Sequence, residues 1–530
     1  MDFEVTLVGA GFSGIAMAIA LKQAGICSFV LLEKGDDVGG TWHENQYPGC
    51  ACDVPSHLYS FSFAPNPNWS RMYSQQPEIW DYVRRVTEQF QLRKHIRFNT
   101  AMVAARFEES SGTWLIETSD GATIRSRVLI CGMGALSRPS LPTIPGIETF
   151  KGPSFHSQQW NHQVDLAGKN VAVIGTGASA IQIVPKIAQK VKSLQLFQRT
   201  PPWIIPRLDR AISKVEQHLF RWLPFTQRLN RWWIYWKLEI RVLGFTFKPA
   251  LLLASEKLAQ RHLARQIADK ALRKRVTPDY RLGCKRVLLS DDYYPALTRP
   301  NVDLVTDPIR ATTRTGVVTE NGVERDVDVL IFATGFHVTD NFLSYSIRGK
   351  GGVELSDAWR DKAEAYFGVT TTGFPNLFLL VGPNSGLGHN SIIFMIEAQA
   401  NYILSAIQAL RRSGVKSLNV RADVLRTFND GIQASLRKAI WGSGCRSWYL
   451  DHNGRNTTIW PGYTWKFRQL TRRFNSADYE MEWVGLSDLT RCALRQLFVF
   501  VPLHRVGKMP GITLVENVFA ARAQIGFSFF

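Results

Sequence analysis

VTLVGAGFSG, residues 5–14, carries an apolar, β-branched run into the pattern Gly9-x-Gly11-x-x-Gly14. VAVIGTGASA, residues 171–180, repeats it as Gly175-x-Gly177-x-x-Ala180. One such loop is weak evidence, because short glycine patterns arise by chance. Two of them, each after a strand-like run and before a helical pattern, predict two dinucleotide sites in one chain. The glycines let backbone approach a pyrophosphate at a helix N-terminus, where the amide groups and the helix dipole favour an anion. The fold class expected is therefore α/β, with two Rossmann-like dinucleotide-binding domains.

Working outward from the first loop, residues 3–9 read as a buried strand, 12–25 as a helix and 28–33 (SFVLLE) as a second strand. Glu33 stands 24 residues after Gly9, where an acid bonds ribose hydroxyls. Phe12, Ser13 and Lys34 flank this unit. The second unit repeats the order at 171–177, 179–190 and 193–198, with Thr176, Ala178, Ser179 and Gln182 around its loop and helix start. At the same offset it carries Arg199 and Thr200, and a cation there suits a ribose 2′-phosphate that an acid would repel. The first site thus suits FAD and the second NADPH rather than NADH.

Two further strands end in related turns, VLICGMGALSRP (128–139) and VLIFATGFHV (329–338), read as crossovers between the nucleotide domains. LFLLVGPNSGLGHNS (377–391) returns the chain to the first domain as strand, Gly-rich turn and helix start. The expected organisation is FAD domain 1–138, NADP domain 139–369 with a helical insertion at 207–275, FAD domain again at 370–475, and a basic amphipathic tail at 476–530.

Hydrophobic residues make up 45% of the 530-residue chain and charged residues 20%, an ordinary globular balance. No apolar run approaches the roughly 18–20 residues that span a bilayer, and the first strand begins too early to leave room for a signal peptide. These features point to the cytoplasm, as do seven scattered cysteines. Cys50 and Cys52 are the only close pair and read as loop thiols, with no metal site expected. The net charge of +19 suits phosphate-rich cofactors and an anionic membrane surface; no nucleic-acid motif accompanies it.

Several motifs between residues 3 and 475 act together. Gly39-Gly40-Thr41-Trp42, Tyr47-Pro48-Gly49 and Asp53 form one set; Phe150-x-Gly152-x-x-x-His156-x-x-x-Trp160 lies between the two Gly loops. Together these resemble the signatures of type I Baeyer–Villiger monooxygenases, in the flavin-containing monooxygenase superfamily. Asn161 and the Cys131-Gly132-Met133-Gly134 turn are mild departures from the family pattern. The resemblance implies an enzyme that uses FAD, NADPH and O2 to convert a small hydrophobic ketone to an ester or lactone through a C4a-peroxyflavin. It implies roles as well. Arg286 would be the active-site arginine, oriented by Asp53, and Lys285 would join Arg199 and Thr200 at the 2′-phosphate. Trp448 would be a loop residue against NADP, Tyr59 would pack at the flavin, and Val103 would touch the adenine through its backbone. His156 reads as a linker histidine rather than a base, and Trp160 as linker packing.

Three other readings stand beside this one: an N- or S-oxidising flavin monooxygenase, a pyridine-nucleotide:disulfide reductase, and a non-catalytic membrane-associated flavoprotein. The reductase lacks a Cys-x-x-Cys pair near either loop. The aromatic run at 222–236 (RWLPFTQRLNRWWIYW, from Arg221) is expected to form a packed helical hairpin, with a substrate mouth or a membrane-facing surface as the alternatives. The tail at 486–506 has basic and apolar faces suited to peripheral membrane contact, to docking on its own domain, or to an oligomer contact. The oligomeric state stays open.

Overall fold

The computed structural model describes residues 1–483 apart from Asn341 and Ser413. Its strands gather into two main sheets. The first runs in the order Ser346–Arg348, Met102–Glu108, Thr113–Thr118, Thr123–Cys131, Phe3–Val8, Phe29–Leu32, Ile96–Arg97. Leu377–Leu379 pairs in parallel with the C-terminal half of Thr123–Cys131, beyond the stretch that pairs with the antiparallel meander. The second sheet is wholly parallel: Val302–Val305, Ser193–Phe197, Asn170–Ile174, Val329–Phe332, Ser154–His156. Each sheet holds the strand that feeds its Gly loop in its interior, flanked by parallel strands on both sides, as the α/β reading requires.

The strands leading into the loops are near-continuous apolar runs because both sheet faces are covered. Val5, Leu7, Val171, Ala172 and Val173 are all fully buried or nearly so. The strand Ser346–Arg348 pairs with Met102–Glu108 of the first sheet, although it lies inside the 139–369 stretch expected to serve the second nucleotide unit. Helix Ile392–Leu410 packs along the first nucleotide helix, Phe12–Gln23. At 19 residues it is long and apolar enough to span a bilayer, unlike the sequence expectation, yet most of it is buried inside the protein. Met395, Ile403 and Ile407 are core residues, so it is read as a core helix.

The two crossover turns meet the two Gly loops in the same way. A Cβ on Gly9 (φ +95°) would stand 2.7 Å from the Gly132 carbonyl oxygen, and one on Gly175 (φ +111°) would collide with the Ala333 carbonyl. Only glycine tolerates both the left-handed φ and that approach. Gly14 lacks a side chain for a different reason: its helix lies directly on the Gly9 carbonyl.

The insertion is helical, with Lys214–Trp222, Pro224–Glu239, Leu252–Gln266 and Lys270–Arg275 as its helices. The first opens with a capping box between Ser213 and Glu216. The second does not form the expected buried hairpin face. Trp222, Trp232, Trp233 and Trp236 are exposed, whereas Tyr235 and Leu238 are buried. Its polar side faces inward and holds the loop at 57–66. Gln227 lies 3.2 Å from His57 Nδ1 and donates to the Asn66 carbonyl, and Arg231 donates to the carbonyls of His57 and Ser60. At the C-terminal end, Tyr479–Trp483 pairs with Val415–Val420, so the segment expected to begin a tail at 476 starts as a short 3-10 turn and a strand. The amphipathic 486–506 stretch lies outside the described residues.

A disulfide that sequence spacing did not indicate joins Cys284 to Cys445 across 161 residues. Cys50 and Cys52 are buried thiols instead. Burial pushes Cys50 up to about 12 and Cys52 higher still, so both stay protonated and weakly reactive.

Two predictions follow from this packing. His57 and His156 are both held near 4, mainly by burial, against an ordinary value of 6.5. The unfolded chain therefore binds more protons than the folded one between those values, and stability falls as pH drops from about 6.5 to about 4. Denaturant titrations should show a loss on the order of 3 kcal/mol per histidine across that window. His57→Gln should remove its share of the slope, and an unchanged slope would refute the assignment. The disulfide closes a long loop, so Cys445→Ser should lower unfolding free energy by about 2–4 kcal/mol. Equal stability of the variant and the oxidised parent would contradict a formed bond.

Candidate functional site

Both Gly loops open onto one cleft of about 1450 Å³. A single small-molecule site usually occupies about 300–1,000 Å³, so this space suits more than one ligand. In the first lobe Gly9, Gly11, Phe12, Ser13, Glu33 and Lys34 line the wall, followed by Gly40, Thr41, Trp42, Asp53 and Tyr59. Glu33 is buried, and its carboxylate accepts from the backbone amides of Ala10 (2.6 Å) and Gly35 (2.9 Å). That double bond fixes an anionic acceptor at the end of strand Phe29–Leu32. Lys34 pairs with Glu44 at 2.6 Å. The Trp42 indole donates to the Tyr59 hydroxyl at 3.0 Å, so two aromatic walls hold each other in place.

In the second lobe Gly175, Thr176, Gly177, Ala178, Ser179 and Gln182 line the cleft. A Cβ placed on Gly177 would meet nothing within 4 Å, so the backbone there borders open space. Thr176 Oγ1 donates to the Thr200 carbonyl and ties the loop to the Arg199-Thr200 turn. Arg199 and Lys285 both line the cleft, and neither makes an ion pair among the described residues. Burial, and then the Arg199 charge, lower the Lys285 pKa. Two cations close enough to influence each other suit a doubly charged anion. The donor set, the open glycine cradle and the buried acid fit two dinucleotides, FAD on the first lobe and NADP on the second.

The Tyr47-Pro48-Gly49 turn is what joins the lobes. Gly49 (φ +84°) lies against the helix Ala180–Ile187, where a Cβ would come 2.7 Å from the Gln182 carbonyl. Gln182 returns the contact. Its side chain accepts from Tyr47 Oη (3.1 Å) and donates to the Ala51 carbonyl (2.9 Å). This pairing sets Asp53 beside the loop that carries Arg286, just before strand Leu288–Leu289. Arg286 Nε and Nη2 both donate to Asp53 Oδ2, at 2.9 and 2.6 Å. Asp53 raises the guanidinium pKa further, with the buried Tyr449 adding to it, so the cation is permanent. Both partners are about one-third exposed toward the cleft. Trp448 lines the same cleft at 42% exposure and packs against Tyr449 with the two rings tilted by 54°. The Cys284–Cys445 bond lies next in sequence to both Lys285-Arg286 and the 446–448 segment, and so ties one to the other.

Other candidates lie elsewhere. Gly14 and Ala180 are helix-packing residues behind the loops. Val103 is 54% exposed and is not on the cleft wall, which Ala101 and Met102 form instead. Phe150, Gly152, His156 and Trp160 lie away from the cleft. Gly152 admits the Phe150 ring and the Asp328 carbonyl, which any Cβ would strike. His156 ends the edge strand Ser154–His156, is buried, accepts from the Gln158 amide and packs edge-on against Phe336. Held near 4, it is neutral at physiological pH, which suits a structural linker.

The sequence reading missed the far wall. Val381, Leu387 and Asn390 line it, from the LFLLVGPNSGLGHNS segment, and Tyr345 lines the cleft beside strand Ser346–Arg348. Val381 has a left-handed φ of +58°, uncommon for a β-branched residue, and its amide donates to Gln399 Oε1 at 2.9 Å. Behind Asn390 lies a buried polar cluster. Glu239, from the insertion, accepts from Asn390 (2.6 Å) and from the amide and hydroxyl of Thr464 (2.6 and 2.7 Å). His389 Nε2 lies 3.5 Å from the same carboxylate. A Gly-rich turn after an apolar strand was the one available signal for this wall.

Comparison with known proteins agrees with this geometry. The flavin-binding monooxygenase-like family model matches residues 3–354. A Baeyer–Villiger monooxygenase of Pseudomonas aeruginosa is 48% identical over 495 residues, covering 93% of this chain and 94% of that protein. One from Streptomyces coelicolor is 47% identical over 480 residues, covering 90% and 92%. The crystal structure of OTEMO in complex with FAD and NADP superposes with a TM-score of 0.81 at 29% identity, covering 90% of this chain and 99% of that one. The chain belongs to the flavin-binding monooxygenase-like family, among its Baeyer–Villiger monooxygenases.

Proposed function

We propose that this enzyme inserts one atom of O2 beside the carbonyl of a hydrophobic ketone, giving an ester or lactone, while NADPH is oxidised and the second oxygen atom leaves as water. FAD, bound on the first lobe, supplies the two-electron acceptor for the nicotinamide hydride and the site of oxygen activation. Gly9, Gly11 and Glu33 hold its pyrophosphate and ribose. Gly175, Gly177, Arg199, Thr200 and Lys285 hold NADP. The single observation that carries the reading is the Arg286–Asp53 pair on a cleft wall shared by both loops.

The chemistry assigned to the residues is electrostatic. Attack on a carbonyl builds negative charge on oxygen. A guanidinium fixed before the reaction lowers the free energy of that charge without reorganising solvent. Asp53 holds Arg286 in one orientation. Trp448, on the wall of the same cleft, would pack against bound NADP and limit the entry of water. The enzyme works in the cytoplasm, where NADPH is supplied. Oxygen uptake and NADPH oxidation across a panel of cyclic, linear and aryl ketones and thioethers, with products identified, test the assignment. A product set of sulfoxides or N-oxides without esters would favour the heteroatom-oxidising reading.

Arg286→Ala should keep FAD, because the phosphates are held elsewhere, and should still be reduced by NADPH. Its ester formation should fall by about 10²–10³-fold. Arg286→Lys should recover little, because an ammonium cannot reproduce the planar donor set that Asp53 orients. An Ala variant with parental ester yield would remove Arg286 from the mechanism. Arg199→Ala should reduce the preference for NADPH over NADH by roughly ten- to a hundredfold, measured as the ratio of kcat/KM values. If that ratio does not move, the 2′-phosphate is bound elsewhere.

A further inference from the structure

Helix Pro224–Glu239 is amphipathic in the opposite sense to a core helix. Phe225, Leu229, Trp232, Trp233, Trp236 and Ile240 follow helical spacing, so they form one stripe about 100° wide. That stripe faces solvent, with exposures of 63, 61, 56, 63, 40 and 62% in that order. Trp222, just before the helix, is 76% exposed. The helix cannot rotate to bury the stripe. Gln227 and Arg231 hold its polar side to the loop at 57–66, and Glu239, fully buried, is bonded to Asn390 and Thr464.

Charge identifies what fits over this face. Between Gln217 and Ser255 the only acid is Glu239, which is buried. Arg221, Arg228, Lys237 and Lys248 are exposed in the same stretch, and none forms an ion pair among the described residues. A second copy packed symmetrically on this face would set these cations against their equals. Residues 484–530 carry five Lys and Arg against two acids, so that segment matches the face no better. Tryptophans flanked by unpaired cations suit the headgroup region of an anionic bilayer, where indoles rest at the interface and cations meet phosphates.

We propose that the solvent-facing stripe of helix Pro224–Glu239 is a docking surface for an anionic lipid bilayer. The test is flotation of the full-length holoenzyme with vesicles of phosphatidylcholine alone and of phosphatidylcholine and phosphatidylglycerol in equal parts. The parent should float with the anionic vesicles and be released by salt. A triple variant, Trp232→Ser, Trp233→Ser and Trp236→Ser, should partition onto them at least about tenfold less. A second variant, Arg228→Gln, Lys237→Gln and Lys248→Gln, should lose binding and salt dependence together. Both should keep their FAD and the parental turnover of a water-soluble ketone, since neither set belongs to the catalytic machinery. Three outcomes would overturn the proposal. These are a parent that ignores anionic vesicles, a tryptophan variant that floats like the parent, and a parent dimer that the tryptophan variant converts to monomer without any vesicle effect.

Discussion

The close approach of two glycines to two carbonyl oxygens underlies the rest of the architecture. Gly9 lies against Gly132 and Gly175 against Ala333, so each nucleotide loop rests on a crossover turn. A side chain at either glycine would push the loop away from the turn, and with it the backbone that borders the cleft. Because both contacts are made by main chain, they leave the outward amides free for phosphate. The catalytic pair depends on this indirectly. Gln182 projects from the second loop's helix, grips the turn between Tyr47 and Ala51, and thereby sets Asp53 beside Arg286.

What the sequence revealed and what it concealed divide along physical lines. The nucleotide units were legible because their constraints are local: a buried strand, a left-handed glycine, a helix start and a charge at a fixed offset. Arg199 and Glu33 could be read for the same reason. The Arg286–Asp53 contact spans 233 residues and was suggested only by family resemblance. Glu239 gave no signal at all. An acid in a helix reads as solvent-facing, and its partners Asn390 and Thr464 lie more than a hundred residues away. Cys284 and Cys445 were opaque in the same manner. The tryptophan run misled because aromatic stripes usually mark core, whereas here the inward face is made of Gln227, Arg231, Tyr235 and Glu239.

That inversion places two different requirements on one helix. Its outer face is apolar and unpartnered; its inner face carries hydrogen-bonded groups that would be costly to leave unsatisfied. The inner face also reaches the cleft, since Asn390 lines the far wall while donating to Glu239. One carboxylate thus joins the helix that carries the outer surface to a residue of the cleft wall.

The same carboxylate bears on how the enzyme can be altered by recombination. Glu239 belongs to the insertion, Asn390 to the turn before the long core helix, and Thr464 to the start of a short helix near the end of the described chain. Substrate range in such an enzyme is an attractive target for grafting loops between relatives. A graft that imports the 381–391 wall without its matching insertion would strand a buried charge, and one that imports the insertion alone would orphan the amide and hydroxyl of Thr464. The three segments therefore form a single unit of exchange, although they are scattered along the chain.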